Sequence, residues 1–292
     1  MESTIAAALK LAHQPVALIW GDEKPDDALR FKEKTWGCVM WLFARVAKGK
    51  TAVFDRKTYG CAGGGVGLGF GNTYNLFPGS MECFYHFLSQ GNEHFDFGKR
   101  LVPTITKVAG EDFARTFLRG ERFMKSPGQV KKFLELLPIA DIPSKHVIFK
   151  PLGAVEAQEK PEVISFVVNP HQLAALTTLS YYEADTVEKV IIPKGAGCHQ
   201  IGIFPYREAR SARPRAVVGL TDLFARRSIR QQLGDDIMTF SVPFALFQEM
   251  EANVKGSFLQ EETWEALAEQ FSPRAGGDSF RQACLRTNGQ NP

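Results

Sequence analysis

The chain lacks the features that would place it in a membrane or in an oxidising compartment. No apolar run among its 292 residues is long enough to cross a bilayer. The most apolar N-terminal run is broken by Lys10 and His13, and it carries neither a basic leader nor a small-residue cleavage site. The five cysteines are odd in number and widely spread, unlike the dense even framework of a small secreted domain. We therefore expect a cytoplasmic protein without membrane partners, whose cysteines remain thiols.

The chain also lacks a strong excess of charge of either sign. It has 35 Lys and Arg against 32 Asp and Glu, for a net charge of +3. Because binding to a phosphate backbone needs clustered basic residues, no nucleic-acid partner is predicted. The densest basic cluster, residues 207–230, is rich in arginine and has no lysine. It fits either a solvated face with ion pairs to Glu208 and Asp222 or a site for carboxylate or phosphate groups.

Several familiar catalytic and binding motifs are missing. In the glycine-rich segment 60–71, Gly65 and Gly67 are followed by Phe70 where a dinucleotide-binding G-x-G-x-x-G frame needs its third glycine. The GK[ST] ending of a P-loop is absent, so a phosphate there would be held by backbone N–H groups alone. No G-x-S-x-G, H-E-x-x-H or C-x-x-C pattern occurs, which excludes a zinc ribbon. The segment could also be a purely structural loop.

Short apolar runs alternate with amphipathic segments along the chain. Strands are predicted at 16–20, 51–54, 146–152, 162–168 and 216–222, and helices at 2–13, 38–49, 81–92, 126–138, 171–184, 242–254 and 261–271. Residues 95–125 are ambiguous. The pattern predicts a mixed α/β protein of the α+β class, with two similar strand-helix-strand halves, 1–138 and 139–271, packed together. Residues 272–292 are predicted to be a loose tail.

What the chain does have is three cysteines that each follow a glycine directly. The pairs are Gly37-Cys38, Gly60-Cys61 and Gly197-Cys198. A neighbouring glycine lets a thiolate approach a metal closely and permits positive φ values. Because a cluster can take one ligand from each of several loops, these cysteines predict a three-thiolate metal or iron-sulfur site. Cys38 is expected at the N-terminus of the helix 38–49, where backbone N–H groups favour a thiolate.

Three side chains are candidates for a fourth ligand: Asp222, Cys83 and His199. Cys83 lies on a predicted amphipathic helix, where a buried inert thiol is the ordinary outcome. His199 follows Cys198 directly, so it is better placed as a hydrogen-bond donor behind the ligands than as a ligand itself. Cys284 lies in the predicted tail and is the weakest candidate.

Several segments together resemble the family catalogued as domain of unknown function 169, also called ArCR, from about residue 5 to residue 270. The segments are RFKEKTWGCVMWLFARVAKGK, YGCAGGGVGLGF, SMECFYHFLSQG, NPHQLAALTTLSYY, IIPKGAGCHQIGIFPYREA, AVVGLTDLFARRSI and TFSVPFALFQEMEANVKGSFL. The resemblance implies a soluble prokaryotic protein, frequent in anaerobes, with cysteines at positions 38, 61 and 198. Many members carry a further cysteine in a GC-x-G-x-R segment near residues 219–226. This chain reads GLTDLFAR there, and Asp222 is the nearest substitute.

These observations predict an iron-sulfur protein of anaerobic metabolism, an oxidoreductase or lyase performing redox, dehydration or sulfur-transfer chemistry. A 4Fe-4S cluster held by three cysteines leaves one iron for Asp222 or an exogenous molecule. Gly63, Gly64, Gly65 and Arg226 are candidates for binding a small anionic substrate.

Two alternatives stay open. One is a zinc or mononuclear iron site on the same thiolates. The other is a metal-free module that binds an anionic small molecule through the glycine loop and the arginine segment. In either case phenylalanines near the C-terminal end, such as Phe240, Phe244, Phe247 and Phe258, are expected to form core and the interface of a homo-oligomer.

Overall fold

A computed structural model describes residues 1–271 of the chain. The tail 272–292 and Cys284 lie outside the described residues. The strands are β1 Val16–Gly21, β2 Ala52–Phe54, β3 His146–Pro151, β4 Val163–Val168, β5 Val190–Ile191, β6 Ala216–Gly219 and β7 Met238–Pro243. The helices are α1 Thr4–Ala8, α2 Val39–Ala47, α3 Ala62–Gly67, α4 Ser80–Phe87, α5 Asp96–Ala109, α6 Glu111–Arg119, α7 Pro127–Glu135, α8 Pro170–Ser180, α9 Gly197–Ile201, α10 Ile203–Glu208, α11 Leu223–Leu233, α12 Phe244–Asn253 and α13 Glu262–Phe271.

The strands form one seven-stranded sheet in the order β2-β3-β1-β4-β7-β6-β5. All neighbours run antiparallel except β5 and β6, which are parallel. Helices and a mixed sheet confirm the predicted α+β class. Strand β3 lies between β2 and β1, so residues 1–138 and 139–271 share one sheet. A likeness between the two halves stays a prediction.

Successive side chains of a strand lie on opposite faces of the sheet, and both faces are buried. Val16 and Leu18 of β1 pack into a core with α2 and α11, whereas Ala17 between them packs on the opposite face with residues of α8 and α12. This two-residue period is the expected geometry of a strand, and fully buried apolar side chains of this size each stabilise the fold by roughly 1.5–3 kcal/mol. A third core, rich in aromatic rings, lies among α4, α5, α6 and α7.

Three local predictions differ from the structure. The glycine-rich segment after Cys61 was predicted to be a loop, but Ala62–Gly67 forms the helix α3. The ambiguous stretch 95–125 contains two helices, α5 and α6, which meet at Gly110 with φ 87°. The N-terminal helix ends at Ala8, well before the predicted residue 13. Within the part of the chain that the structure describes, no helix combines the length and apolar character that a membrane crossing requires.

The arginine-rich segment is largely used for internal ion pairs. Glu208 is 1% exposed and accepts hydrogen bonds from Arg215 Nε at 3.0 Å, Arg215 Nη2 at 2.9 Å and Arg207 Nη2 at 2.9 Å. Arg210 pairs with Glu162 at 3.1 Å. The predicted pairing with Glu208 is present, whereas Asp222 forms no ion pair among the described residues.

We expect Glu208→Gln to lower the free energy of unfolding by about 1–3 kcal/mol at pH 7, because two guanidinium groups lose their charged partner. Burial alone would raise the pKa of Glu208, but the hydrogen bonds from Arg215 and Arg207 outweigh it and lower the pKa. The pair therefore stabilises the fold above the unfolded pKa of about 4.3 and loses this effect as the pH falls through the folded value. Urea unfolding of both proteins between pH 7 and pH 3 measures this. A difference between the two that stays constant as the pH falls would contradict the assignment.

Candidate functional site

The three glycine-flanked cysteines lie at the starts of three different helices on one face of the sheet. Cys38 is the N-cap residue of α2, as predicted, Cys61 is the N-cap residue of α3, and Cys198 is the second residue of α9. Cys198 is 6% exposed, whereas Cys38 and Cys61 are partly exposed. We call the place where these three helix starts and Asp222 meet the recess; Cys198 is its most buried thiol.

Helix α3 connects Cys61 with Cys198. The Gly64 N–H donates to Cys61 Sγ at 3.3 Å, and the Cys198 thiol donates to the Gly63 carbonyl at 3.1 Å. Gly67, one turn further along α3, lies against the Cys198 backbone so closely that an added Cβ would be 2.7 Å from its carbonyl carbon. Helix α3 thus approaches α9 backbone to backbone, which only residues without a side chain permit.

A second glycine contact brings Cys38 beside Cys61. An added Cβ on Gly60 would lie 2.3 Å from the Gly37 carbonyl oxygen, and Gly60 has φ +83°. A side chain is excluded there both by the contact and by the backbone conformation. The residues immediately before Cys38 and Cys61 are therefore in direct contact.

Asp222 lies beside the three cysteines and joins the starts of α9 and α11. It is the N-cap residue of α11, where Oδ1 accepts hydrogen bonds from the N–H groups of Phe224 at 2.9 Å and Ala225 at 3.2 Å. Its Oδ2 accepts from the Gly197 N–H at 3.0 Å, next to Cys198. The carboxylate joins the starts of α9 and α11 and has a structural role whether or not it is a ligand.

Electrostatic effects on the thiol pKa values agree with the proximity of these groups. Burial, with smaller contributions from the charges of Cys38 and Asp222, raises the pKa of Cys61 to about 11. Burial raises the pKa of Cys198 well above its ordinary value, with contributions from Cys61, Cys38 and Asp222. Burial also raises the pKa of Cys38, and hydrogen bonds from Met40 N–H, the Ser228 side chain and Trp41 N–H offset part of this effect.

Tyr74 and His199 form a buried polar pair behind the thiols. Tyr74 Oη lies 3.2 Å from His199 Nε2, and the Ala196 N–H donates to His199 Nδ1 at 3.3 Å. Burial lowers the pKa of His199 to about 4, so the imidazole is neutral at pH 7. Both ring nitrogens are engaged, in agreement with the interpretation of His199 as a hydrogen-bonding neighbour of the ligands.

Glu121 is a titratable side chain near the site, and no sequence motif points to it. It lies between α6 and α7 and is partly buried. Burial raises its pKa to about 8, and the charge of Asp222 contributes to the rise. No motif surrounds Glu121 or Tyr74, and their distance along the chain from the three cysteines hides their proximity to the site.

The remaining predicted residues have other surroundings. Cys83 is fully buried on α4 in the aromatic core, where burial and Glu82, rather than another thiol, raise its pKa to about 11. Gly65 packs against Thr73. Arg226 donates to the carbonyl oxygens of Leu220 and Ile237, at 3.2 and 2.9 Å, and to that of Asp235. Its guanidinium therefore holds the backbone on either side of α11.

Among the described residues, no group of three or more His, Cys, Asp or Glu side chains is arranged to hold a single metal ion. The donor set of the recess, three thiols with a carboxylate, is chemically suited to iron or zinc.

The chain belongs to the uncharacterised ArCR family, domain of unknown function 169, whose family model matches residues 4–253. This confirms the resemblance found in the sequence. All three cysteines and Asp222 lie inside the matched range. No match was found among curated proteins or among solved structures.

We expect Gly67→Ala to displace Cys198 and to destabilise the fold by about 1–3 kcal/mol, because the new Cβ meets backbone atoms that cannot rotate away. Gly128→Ala on α7 is the matched control, since its Cβ meets nothing within 4 Å. Helix propensity there predicts an unchanged or slightly higher stability. Chemical unfolding of the three proteins checks the prediction, and equal stability of the two variants would contradict the close packing of α3 on α9.

Proposed function

We propose that the recess binds a 4Fe-4S cluster through Cys38, Cys61 and Cys198, and that the protein is a cytoplasmic iron-sulfur protein of anaerobic metabolism. The observation that carries the proposal is the convergence of helix starts that brings Cys38, Cys61 and Cys198 together with the Asp222 carboxylate, where these groups add to the rise in the pKa of Cys61 and Cys198. In a protein interior such an arrangement is costly unless the groups stay protonated or share a cation. Iron ions supply that positive charge.

A cluster fits this arrangement better than a single ion does. A tetrahedral zinc ion at about 2.3 Å from each sulfur needs thiolates roughly 3.8 Å apart, gathered around one point. The sulfurs that bind a cubane 4Fe-4S cluster need not surround a single point, because each cysteine binds a different iron. The described side chains do not gather around one ion, although they do face one another across one recess.

The chain itself offers a hydrogen bond to one of the sulfurs. Gly64 N–H donates to Cys61 Sγ at 3.3 Å. Donors of this kind stabilise the thiolate form and raise the reduction potential of a cluster. Asp222 faces the same recess through Oδ2 and is the protein's candidate for the iron that lacks a cysteine.

When bound, a three-cysteine cluster supplies electron transfer or, at the open iron, Lewis-acid and sulfur-carrying chemistry. The partial exposure of Cys38 and Cys61 gives a small anionic substrate access to that side. Glu121, with a pKa of about 8, can hold a proton near Asp222 at neutral pH.

The direct test is anaerobic purification followed by a visible spectrum and by assays of iron and acid-labile sulfide. We expect a brown protein with equal iron and sulfide, and a loss of both in Cys38→Ala, Cys61→Ala and Cys198→Ala. Cys83→Ala is the matched control, because this thiol lies in a different core, and it should retain the cluster. Asp222→Asn should keep the cluster and alter its spectrum if the carboxylate binds iron.

Other outcomes would replace the proposal. A colourless protein that contains zinc lost in the same three variants would assign a mononuclear site. A protein with neither metal after reconstitution, whose Cys61→Ala variant folds normally, would leave a metal-free binding module in which the cysteines are packing residues.

A further prediction concerns the thiols after the metal has been removed with a chelator. Because the pKa of Cys61 is raised to about 11, its alkylation by iodoacetamide should be slow at pH 7 and should accelerate about tenfold per pH unit up to that value. A bound cluster should prevent alkylation over the whole pH range. Mass spectrometry of the labelled peptide measures both rates. Rapid alkylation at pH 7 would show that the protein stabilises a thiolate without metal, contrary to the electrostatics described above.

A further inference from the structure

An apolar strip borders the thiol recess on the outside of α2 and α11. Trp41 of α2 is 49% exposed, and Leu223 and Phe224 of α11 are 64% and 42% exposed. The Trp41 indole donates to the Ser228 carbonyl at 2.7 Å, which fixes the first turn of α2 against α11. Exposed aromatic and aliphatic side chains grouped in this way are unusual on a surface that contacts only water. They flank Cys38 on one helix and Asp222 on the other.

The strip continues into a shallow groove. Phe224 meets Phe123 edge to face, with ring centroids 5.8 Å apart. Phe123 also lines a groove of about 500 Å³. The apolar wall of this groove includes Phe133 and Leu136, and Leu136 is 81% exposed. We call the strip and the groove together the docking face. The groove is open along its length, and so suits an extended partner surface better than an enclosed small molecule.

The charges on the docking face are basic and uncompensated. Its basic side chains are Arg45 and Arg227 beside the strip and Lys125, Lys132 and Lys194 in the groove. None of the five forms an ion pair within residues 1–271, and Lys194 instead lies 5.8 Å above the Phe133 ring.

Several arginines elsewhere in the molecule are neutralised by ion pairs. Arg207 and Arg215 share Glu208, Arg210 pairs with Glu162 and Arg230 pairs with Asp235. Of the carboxylates next to the docking face, Asp222 is held by three backbone N–H groups. Glu121 is largely protonated at pH 7, because burial raises its pKa to about 8, and the exposed Glu135 on α7 is an opposing charge. The face therefore carries a positive surplus.

We propose that the docking face binds a small acidic electron-carrier protein. A second copy of this chain would bring the same positive face against itself, which like-charge repulsion disfavours in a two-fold interface. An acidic partner instead gains steering from the charges and contact area from the apolar strip. Electron-transfer complexes are weak and need small interfaces, typically below about 1,200 Å² in total.

The docking face lies next to the proposed cluster, so a partner bound there would be close to it. The inference rests on the proposed cluster, since the face borders the recess on the side where Cys38 is partly exposed. A cluster held by Cys38, Cys61 and Cys198 would accept one electron from the iron-sulfur or flavin centre of the reduced carrier, which would thereby be oxidised. No bond forms or breaks in this step.

The test measures binding of the anaerobically purified full chain to an acidic two-cluster ferredoxin and to a flavodoxin by calorimetry at low and high salt. We expect micromolar binding to at least one carrier that weakens as salt rises. The double variant Arg227→Glu/Lys125→Glu should weaken it at least about tenfold. Lys255→Glu is the matched control, because this exposed lysine follows α12 on the opposite face of the sheet and should bind like the wild type.

Iron and sulfide are assayed on the same samples, so the two proposals fail separately. A protein that contains the cluster and binds neither carrier overturns the docking proposal alone. A protein without iron and sulfide overturns the proposed function, and with it the electron-carrier role, even if acidic proteins still bind. Equal binding to anionic lipid vesicles or to a single-stranded oligonucleotide would also overturn the proposal, because it would reveal a general affinity for negative charge.

Discussion

The candidate site depends on backbone contacts that only glycine allows. Gly60 touches the Gly37 carbonyl, and Gly67 lies against the backbone of Cys198. These contacts set the distances between three helix starts, the last of which follows the other two by more than 130 residues of chain. Because each contact joins main chain to main chain, no rotamer change can relieve a side chain added there. The positions of the thiols are thereby set by the fold itself rather than by flexible loops.

The recess differs in kind from the other buried charge in the molecule. Glu208 is buried too, but two guanidinium groups lower its pKa and satisfy it. In the recess, burial is the largest cause that raises the pKa of Cys61 and Cys198, the other thiols and Asp222 add to the rise, and backbone N–H groups offset part of it. Two arginines therefore keep the buried carboxylate of Glu208 ionised, whereas burial keeps the thiols of Cys61 and Cys198 protonated at pH 7. The proposed cluster would supply the positive charge that favours their thiolate form.

The sequence predicts the fold class and the position of Cys38 at a helix start better than the form of the glycine-rich segment. The α+β class, most of the longer helices and the position of Cys38 at a helix start follow from hydrophobic period and capping residues. The helical state of residues 62–67 does not, because the propensity of three consecutive glycines opposes a helix and only packing against α9 and Thr73 outweighs it. Glu121 and Tyr74 were missed for a different reason. Their relation to the thiols exists only in three dimensions, since chain segments from separate cores meet at the recess.

Asp222 has two possible roles at the site: it holds two helix starts by hydrogen bonds, and it is the candidate for the fourth ligand. As the N-cap of α11 it satisfies two backbone donors, and through Gly197 it holds the segment that carries Cys198. A cysteine at this position would be a much weaker acceptor for N–H groups and would hold the two helix starts less firmly, although it would supply a fourth thiolate. If the recess holds the proposed cluster, Asp222 would therefore give a firmer recess and leave one iron without a thiolate, whereas a fourth cysteine would close the cluster with sulfur.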